Sequence, residues 1–360
     1  MILINDLARH SQAQGAVIRE AVERVLASGW FVLGPECSGF EREFADYCSV
    51  RSCVGVANGT DALELAFGAL GLGPGKRVAT VANAGCYAST ALRAVGAQPV
   101  YVDVGPDYLM DLDHLDRALT ESLDAVVVTH LFGLMHDMAA IRRMADRAGV
   151  PVIEDCAQAH GAQRDGRQAG SVGDVGTFSF YPTKNLGGIG DGGAIVTNDE
   201  RLEAQLRRLR QYGWEAKYRV AQVGGRNSRL DEIQAAVLRA KLPHLDGWNA
   251  RRREIAARYS RKINQPRVSV PSRHGLEYVA HLYAITSEDR DVLRTRLAAA
   301  GISSDIHYPV PDHRHMPEEA AEPISLPTTE RLARTILSLP CFPELTDDEV
   351  DHVIEVVNSW

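Results

Sequence analysis

Short apolar runs alternate with longer segments of helical periodicity between residues 52 and 198. Seven of the runs are short enough to be strands, and they predict strands at residues 53–57, 78–82, 99–104, 125–129, 152–155, 176–180 and 194–197. Helix-like segments such as residues 61–70, 88–95 and 138–148 lie between most of them. The alternation predicts an α/β fold with a mostly parallel seven-stranded sheet flanked by helices. The last strand follows its predecessor through a glycine-rich loop without a helix, so we expect it to be antiparallel.

The pattern changes after residue 228. Apolar residues then recur at helical spacing, at Leu230, Ile233, Val237, Leu238 and Leu242. They predict a long helix, followed by a segment around residues 245–261 that leads out of the first domain. We therefore predict an N-terminal segment and large domain over residues 1–245, and a smaller C-terminal α/β domain over residues 246–360.

The composition excludes several functional classes. The net charge is −8 and no basic block could follow a nucleic-acid backbone, so we expect no nucleic-acid partner. The six cysteines are scattered without a C-x-x-C pair, which indicates free thiols in a reducing cytosol. The N-terminus lacks the apolar region of a secretion signal, and no apolar run approaches the ~20 residues of a membrane helix. We expect a cytoplasmic protein with no membrane partner.

A lysine and an acid carry the clearest chemical signal. Lys184 follows the strand predicted at residues 176–180, and a glycine run over residues 187–193 comes next. Asp155 ends the apolar strand at residues 152–155. Ligands of open α/β sheets bind at the carboxyl ends of strands, where both side chains are expected. Pyridoxal 5'-phosphate (PLP) needs this pair, since the lysine forms the Schiff base and the acid partners the pyridine nitrogen. An apolar pocket would lower the lysine pKa and make it a nucleophile, whereas most lysines are solvated.

Other residues near these strand ends suit the rest of the cofactor. Gly59 and Thr60 lie between a strand and a helix, where free backbone N–H groups would face a phosphate. Asp61 and Glu64 have the spacing of a capping box, and a plain glycine turn into a capped helix is the alternative. Ser179 offers a hydroxyl to the phosphate, and Gln158 could donate to the ring hydroxyl.

Three motifs have competing interpretations. Asp155 with His160 suggests a metal site, but no further ligand follows at a recognisable spacing, so we expect no metal. The G-x-G-x-x-G match at residues 188–193 precedes an apolar β-branched run instead of opening a helix, so it argues little for a dinucleotide site. The three histidines within residues 305–315 suit either a metal tract or a substrate-facing loop, and we favour the loop because the lysine site needs a cover.

Two polar residues are expected at the start of the long helix. Asn227 and Arg229 would lie at its start, where polar side chains and a helix N-terminus suit an anion. Capping of the helix by Ser228 is the equally supported alternative.

Several ordered motifs together resemble the DegT/DnrJ/StrS group of nucleotide-sugar aminotransferases. The resemblance begins at residues 28–36 (SGWFVLGPE) and continues through 58–63 (NGTDAL), 154–161 (EDCAQAHG), 179–185 (SFYPTKN) and 227–236 (NSRLDEIQAA). It thus covers nearly the whole chain, and motifs in this order are far more specific than any one of them.

The resemblance implies a fold-type I PLP enzyme that works as a homodimer with active sites at the subunit interface. Lys184 would carry the Schiff base, Asp155 would bind the pyridine nitrogen, and Gln158 would contact the ring hydroxyl. Gly59, Thr60 and Ser179 would bind the phosphate, with Asn227 entering from the partner subunit. The aromatic residue that stacks on the ring in many members is assigned to Tyr87. Tyr181, Arg229, His307 and Tyr308 are the predicted substrate-binding residues.

The resemblance also implies the reaction. L-glutamate would give its amino group to the cofactor, and a nucleotide-linked keto sugar would then accept it, with Lys184 as general base and acid. The segment His307-Tyr308-Pro309 is similar to a loop in members that aminate dTDP-linked 3-keto-6-deoxyhexoses. Related dehydratases carry a histidine in place of the lysine, so Lys184 favours transamination. The alternatives are a 4-keto sugar, a PLP-dependent sugar dehydratase and a PLP-binding regulator without turnover.

Overall fold

The computed structural model describes residues 1–272, 275–315 and 324–360. Its helices are α1 (Leu7–Ala13), α2 (Gly15–Ser28), α3 (Pro35–Cys48), α4 (Gly59–Ala69), α5 (Tyr87–Ala94), α6 (Leu112–Leu119), α7 (Met138–Ala148), α8 (Glu200–Leu209), α9 (Glu232–Lys241), α10 (Leu245–Lys262), α11 (Arg290–Ala299), α12 (Pro327–Thr335) and α13 (Asp347–Asn358). Its strands are β1 (Ser52–Val56), β2 (Arg77–Val81), β3 (Gln98–Val102), β4 (Ala125–Thr129), β5 (Val152–Asp155), β6 (Gln163–Arg164), β7 (Arg167–Gln168), β8 (Val175–Ser179), β9 (Gly193–Thr197), β10 (Trp214–Ala216), β11 (Arg219–Val220), β12 (Tyr283–Thr286) and β13 (Ile336–Leu339).

Seven strands form one sheet in the order β1-β9-β8-β5-β4-β2-β3. The neighbours from β8 through β5, β4 and β2 to β3 are parallel. Strand β9 runs antiparallel to both β8 and β1. The predicted fold class and the reversed last strand are therefore confirmed. The predicted strand bounds agree with the structure to within two residues, and β4 and β5 have the predicted bounds.

Both faces of the sheet are buried, as a sheet with helical crossovers requires. Successive residues of β4 point to opposite sides, so Val126 and Val128 belong to one apolar core and Ala125 and Val127 to the other. Helices α3, α6, α7 and α9 contribute to the first core, whereas α4, α5 and α8 cover the second. The carboxyl ends of the strands remain open between these layers.

The C-terminal part forms an α/β unit of its own. Strands β12 and β13 pair antiparallel, and α10, α11 and α13 pack against them in an apolar cluster that contains Tyr259, Tyr283, Leu297 and Val353. The long helix predicted after residue 228 is present as α9 and is followed by α10. The domain bounds at residues 245 and 246 stay a prediction.

Across the described ranges 1–272, 275–315 and 324–360, no helix combines the length and apolar character needed to cross a membrane.

Candidate active site at the carboxyl edge of the sheet

A cleft of about 860 Å³ opens at the carboxyl ends of β4, β5 and β8. The last residues of these strands, Thr129, Asp155 and Ser179, line it. The cleft brings together ten of the predicted site residues: Gly59, Thr60, Tyr87, Asp155, Gln158, Ser179, Tyr181, Lys184, His307 and Tyr308. Asn227 and Arg229 do not line it.

Lys184 lies in a tight turn directly after β8. Its backbone N–H donates to the Tyr181 carbonyl at 2.8 Å, and the Gly188 N–H donates to the Phe180 carbonyl at 2.8 Å. Desolvation by the surrounding protein lowers the pKa of Lys184 to about 8, and the nearby Asp155 carboxylate opposes this shift. A large fraction of the amine is therefore neutral and nucleophilic near pH 8.

Asp155 forms the floor of the cleft. Its side chain is buried, and Oδ1 accepts a hydrogen bond of 3.1 Å from the Ala157 N–H. Burial raises the pKa of Asp155, while the Ala157 N–H and the positive charge of Lys184 act in the opposite direction. A pyridinium nitrogen placed against this carboxylate would further favour its ionised form.

A buried pair lies beneath this floor and was missed by the sequence reasoning. The N–H of His136 donates to Nδ1 of His130 at 3.3 Å, so Nε2–H of His130 is the donor to Oε2 of Glu154 at 2.9 Å. Burial alone would raise the pKa of Glu154, but the hydrogen bonds that it accepts lower the pKa below its ordinary value. The only sequence signal was the pair of adjacent acids at the end of one strand, whose side chains alternate in direction.

Glu154 also has neighbours that are typical metal ligands. With His130 and Cys156 it forms a group whose ligand atoms lie within 4.8 Å of one another. The Glu154 oxygens accept hydrogen bonds from three backbone N–H groups as well as from His130, at Gly170, Val172 and Gly173. The arrangement is therefore that of a satisfied buried carboxylate. His160, the metal ligand considered with Asp155, packs its ring at a tilted angle against Phe178 and Phe180 instead.

The N-terminus of α4 meets the end of β8 at close range. A Cβ atom added at Gly59 would lie 2.6 Å from Cβ of Ser179, so only glycine permits this approach. The first N–H groups of a helix have no intrahelical partner, and here they line the cleft beside the Ser179 side chain. These groups suit a phosphate.

The predicted capping box at the start of α4 is wrong. The helix begins at Gly59, two residues earlier than predicted, and Asn58 is the cap, with its side chain accepting the Asp61 N–H at 2.8 Å. Glu64 instead pairs with the Arg226 guanidinium. The error arose because Asn58 and Asp61 are both good capping residues and only the backbone decides between them.

One wall of the cleft is formed by Gln158 and Tyr308. The Gln158 Oε1 accepts the Phe132 N–H at 2.6 Å, and its Nε2 donates to the Tyr308 hydroxyl at 3.2 Å. Tyr87, half exposed at the first position of α5, stands edge-on to Tyr308 with ring centroids 6.3 Å apart. Gln158 is therefore held rigidly by partners on both sides of its amide.

Two predictions about the segment before α9 need correction. The helix begins at Glu232, so Asn227 and Arg229 lie in the preceding loop and not at its N-terminus. Ser228 does not cap the helix either, because its hydroxyl accepts the Ala57 N–H at 3.1 Å. Asn227 is exposed and forms a bridge with Gln211.

The three histidines of residues 305–315 bind different groups, as expected for a loop. His307 bonds through Nδ1 to the Ser338 hydroxyl at 2.9 Å, His313 bonds to Glu330 at 3.1 Å, and His315 bonds to the Val310 carbonyl at 3.2 Å. His307 lines the cleft next to Tyr308.

Comparison with known proteins explains this arrangement. The model of the DegT/DnrJ/EryC1/StrS aminotransferase family matches residues 12–358. The chain belongs to this family.

Individual members match along most of their length. The dTDP-3-amino-3,4,6-trideoxy-alpha-D-glucose transaminase of Micromonospora megalomicea subsp. nigra is 45% identical, over 97% of this chain and 96% of that protein. The crystal structure of Streptomyces venezuelae DesV in complex with a ketimine intermediate has a TM-score of 0.95 at 44% identity and covers 100% of this chain and 98% of that one. NtdA from Bacillus subtilis, solved with bound cofactor PMP, has a TM-score of 0.90 at 31% identity and covers 96% of this chain and 81% of that one.

The cofactor of this family of aminotransferases is pyridoxal 5'-phosphate. The residues of this chain fit it, because the cleft combines an amine of lowered pKa, a buried carboxylate and a close-packed helix N-terminus.

Proposed function

We propose that this protein transfers the amino group of L-glutamate to a nucleotide-linked keto-deoxyhexose, with a dTDP-linked 3-keto-6-deoxyhexose as the preferred acceptor. The observation that carries the proposal is the meeting of Lys184 and Asp155 in one cleft, in a chain that belongs to an aminotransferase family. The choice of sugar is supported by the 3-amino product in the name of the Micromonospora relative. A cytosolic location accords with the free cysteines.

Each residue has a definite task in this proposal. PLP supplies an aldehyde that exchanges with amines and a ring that withdraws electrons. Lys184 would bind the aldehyde between turnovers. Once released, its Nζ would take a proton from the α-carbon of the donor and deliver it to the carbon that carried the aldehyde. Asp155 keeps a proton on the pyridine nitrogen. The N–H groups of Gly59 and Thr60 and the Ser179 hydroxyl hold the phosphate.

The remaining assignments concern the faces of the ring and the acceptor. Gln158, held by Phe132, donates to the ring hydroxyl, and Tyr87 stacks on the ring. Tyr181, His307 and Tyr308 line the same cleft, and the sugar is expected to contact them.

The charges of the cleft support a homodimer. Lys184 is the only lysine or arginine among the described residues that line it, whereas four aspartates do so: Asp61, Asp155, Asp191 and Asp305. The phosphate, the glutamate carboxylates and the nucleotide diphosphate are all anionic and need positive partners. We propose that a second copy supplies Asn227 and Arg229, which lie outside the cleft of their own chain. Exposed apolar side chains such as Trp30, Phe31 and Val223 offer a surface for this contact.

The first test uses the absorption spectrum of the purified protein reconstituted with PLP. We expect a visible band that is replaced by a pyridoxamine-type band after L-glutamate is added, and that returns when a dTDP-3-keto sugar follows. Mass spectrometry of the sugar product should show the amine. Lys184→Ala should lose the covalent band, and Lys262→Ala, at an exposed ion pair, serves as the control.

Other outcomes contradict the proposal in different ways. A band that ignores glutamate while a deoxy sugar forms would establish a dehydratase. A band with no turnover of any sugar would favour a regulator. Amination of the 4-keto isomer alone would leave the enzyme class intact and change the acceptor.

A further inference from the structure

The first ten residues of the chain reach the catalytic cleft from outside the sheet. Ile4 and Asn5 both line the cleft, although they belong to no strand or helix. None of the roles proposed above involves them. Their position is fixed by contacts of the residues on either side, which we call the two anchors of the segment.

The N-terminal anchor is a backbone bridge to the C-terminal unit. Ile2 donates to the Gly301 carbonyl at 2.8 Å and accepts from the Ser303 N–H at 2.8 Å. Its side chain is buried in the apolar cluster of that unit. The segment that follows Ser303 continues to Asp305 and His307 at the cleft.

The second anchor lies at the beginning of α1. The Arg9 guanidinium forms two hydrogen bonds with Glu349, at 2.8 and 2.7 Å, and its cationic carbon lies 5.9 Å from the centroid of the Phe342 ring. His10 bonds to Glu344 at 2.8 Å. The backbone on both sides of Asn5 is therefore fixed by contacts of several kinds.

Between these anchors, Asn5 contacts the turn of the catalytic lysine. Its Nδ2 donates to the Thr183 carbonyl at 3.3 Å. Thr183 immediately precedes Lys184, and the peptide plane that carries this carbonyl also carries the Lys184 N–H that bonds to Tyr181 at 2.8 Å. A hydrogen bond to that carbonyl thus restrains the peptide from which the lysine side chain extends.

We propose that Asn5 is a positioning residue for Lys184, held at the turn by the N-terminal segment. The inference rests on the proposed function, since it takes Lys184 as the group that moves the proton in both halves of the reaction. A restraint on Lys184 acts equally on both halves because the lysine is shared. A side chain that only contacted the sugar would affect the second half alone.

The test compares the two half-reactions in single turnovers of the PLP-loaded enzyme. We expect Asn5→Ala to slow the glutamate half and the keto-sugar half by the same factor, about 10-fold, with the KM of the keto sugar unchanged. Asn358→Ala is the control, because it removes asparagine bonds to backbone groups away from the cleft, one to the Lys262 carbonyl at 2.8 Å and one from the Asn264 N–H at 2.9 Å. The control should leave both rates at the wild-type value.

A second readout does not depend on catalysis. Hydrogen exchange in the apoprotein, followed by mass spectrometry, should be faster by about 10-fold in the peptide that contains residues 181–186 of Asn5→Ala, and unchanged in α13. If the alanine variant does not fold, Asn5→Ser takes its place, because its hydroxyl is one bond shorter and cannot reach the carbonyl in the same backbone position.

Each result decides the inference. Equal slowing of both halves with faster exchange supports it. Slowing of the sugar half alone with unchanged exchange would overturn it and make Asn5 a substrate contact. Wild-type rates and exchange would also overturn it. A wild-type enzyme without transaminase activity would instead refute the proposed function, and the exchange measurement would still report whether Asn5 restrains the turn.

Discussion

At the scale of single residues, neighbours in the sequence have different surroundings. Glu154 points into the protein and accepts hydrogen bonds from His130 and three backbone N–H groups, whereas Asp155 points into the cleft. The alternation of side chains along β5 separates the two carboxylates. One acid therefore stabilises the loop that follows β7 while the next one is available for chemistry.

The pKa of Lys184 predicts the pH dependence of cofactor capture. The neutral amine is the nucleophile, and desolvation lowers the pKa to about 8, so the neutral fraction grows as the pH rises through 8. The rate at which the apoprotein forms its visible band with PLP should therefore increase between about pH 7 and pH 9 and then level off. Stopped-flow absorbance measures this rate.

A rate that keeps increasing to about pH 10.5 would show an unshifted lysine. Nα-acetyllysine, which has only the side-chain amine, provides the reference profile in the same buffers.

The buried carboxylate beneath the floor predicts a large effect on stability. Glu154→Gln removes the charge and turns one acceptor into a donor, so at least one of the surrounding N–H groups loses its partner. We expect the free energy of unfolding to fall by about 3 kcal/mol, measured by urea denaturation of the apoprotein.

Glu200→Gln is the control for this change, since the ion pair of Glu200 with Arg51 is exposed and worth about 0–1 kcal/mol. An equal, small loss in both variants would contradict the structural role of Glu154.

Whether a residue's surroundings could be predicted from the sequence depended on how far apart in the chain its contacts lie. Lys184, Asp155 and Ser179 were predictable because a residue at the end of a parallel strand lies at the ligand edge whatever its neighbours are. The partners of Glu154 and Ser228 were not, because they come from segments far away in the chain. The prediction of the α4 cap failed for a local reason, because Asn58 and Asp61 are both suitable capping residues.

At the scale of elements, one buried acid, Asp312, connects the loop after β2 with the segment after Tyr308. Asp312 accepts the Cys86 N–H at 2.9 Å and the Ser89 hydroxyl at 2.7 Å, and its own N–H donates to the Ala82 carbonyl at 2.8 Å. Tyr308 packs onto Gly85 of the same loop. The wall that carries Tyr87 and Tyr308 is thus a single assembly.

Removing the hydrogen bonds of Asp312 should weaken the binding of the keto sugar more than it slows the chemical step. We expect Asp312→Ala to raise the KM of the keto sugar about 10-fold and to change kcat less, because the lysine turn is untouched. Steady-state kinetics at saturating glutamate measure both constants.

Asp116→Ala, at an exposed ion pair with Arg147, is the matched control. A fall in kcat without a change in KM would show that the wall serves the chemical step instead.

The elements themselves were largely predictable. Strands β4 and β5 have the predicted bounds, and the other five differ from the prediction by one or two residues, because an apolar residue such as Ala57, Ala82 or Phe180 follows the last residue of the strand. The reversal of β9 followed from the missing helix. The pairing order of the strands was not predictable, since it depends on packing between segments far apart in the chain.

At the scale of the whole molecule, Lys184 is the only lysine or arginine that lines the cleft among the residues the structure describes, whereas the proposed ligands are anionic. The proposed dimer can be tested by complementation. In a heterodimer of Lys184→Ala with Asn227→Ala, one site combines Lys184 of one chain with Asn227 of the other and should be active. Random mixing of subunits should restore about a quarter of the wild-type activity, measured after the two variants are refolded together.

If each variant is folded and dimeric by light scattering but the refolded mixture regains no activity, Asn227 belongs to the site of its own chain or to no site. Separately purified variants that are mixed without refolding provide the background activity.

The reversed strand β9 has a consequence for how the lysine is tethered. Because β8 and β9 are antiparallel neighbours, the loop over residues 180–192 leaves and re-enters the sheet at the same edge. If β9 were parallel to β8, the chain after Lys184 would have to cross to the opposite edge of the sheet before β9 began. Only one end of the segment that carries Lys184 would then lie at the cleft. Both ends of the loop that carries Lys184 are therefore held by paired strands at the cleft, which restricts the movement of the main chain around the proposed Schiff-base lysine.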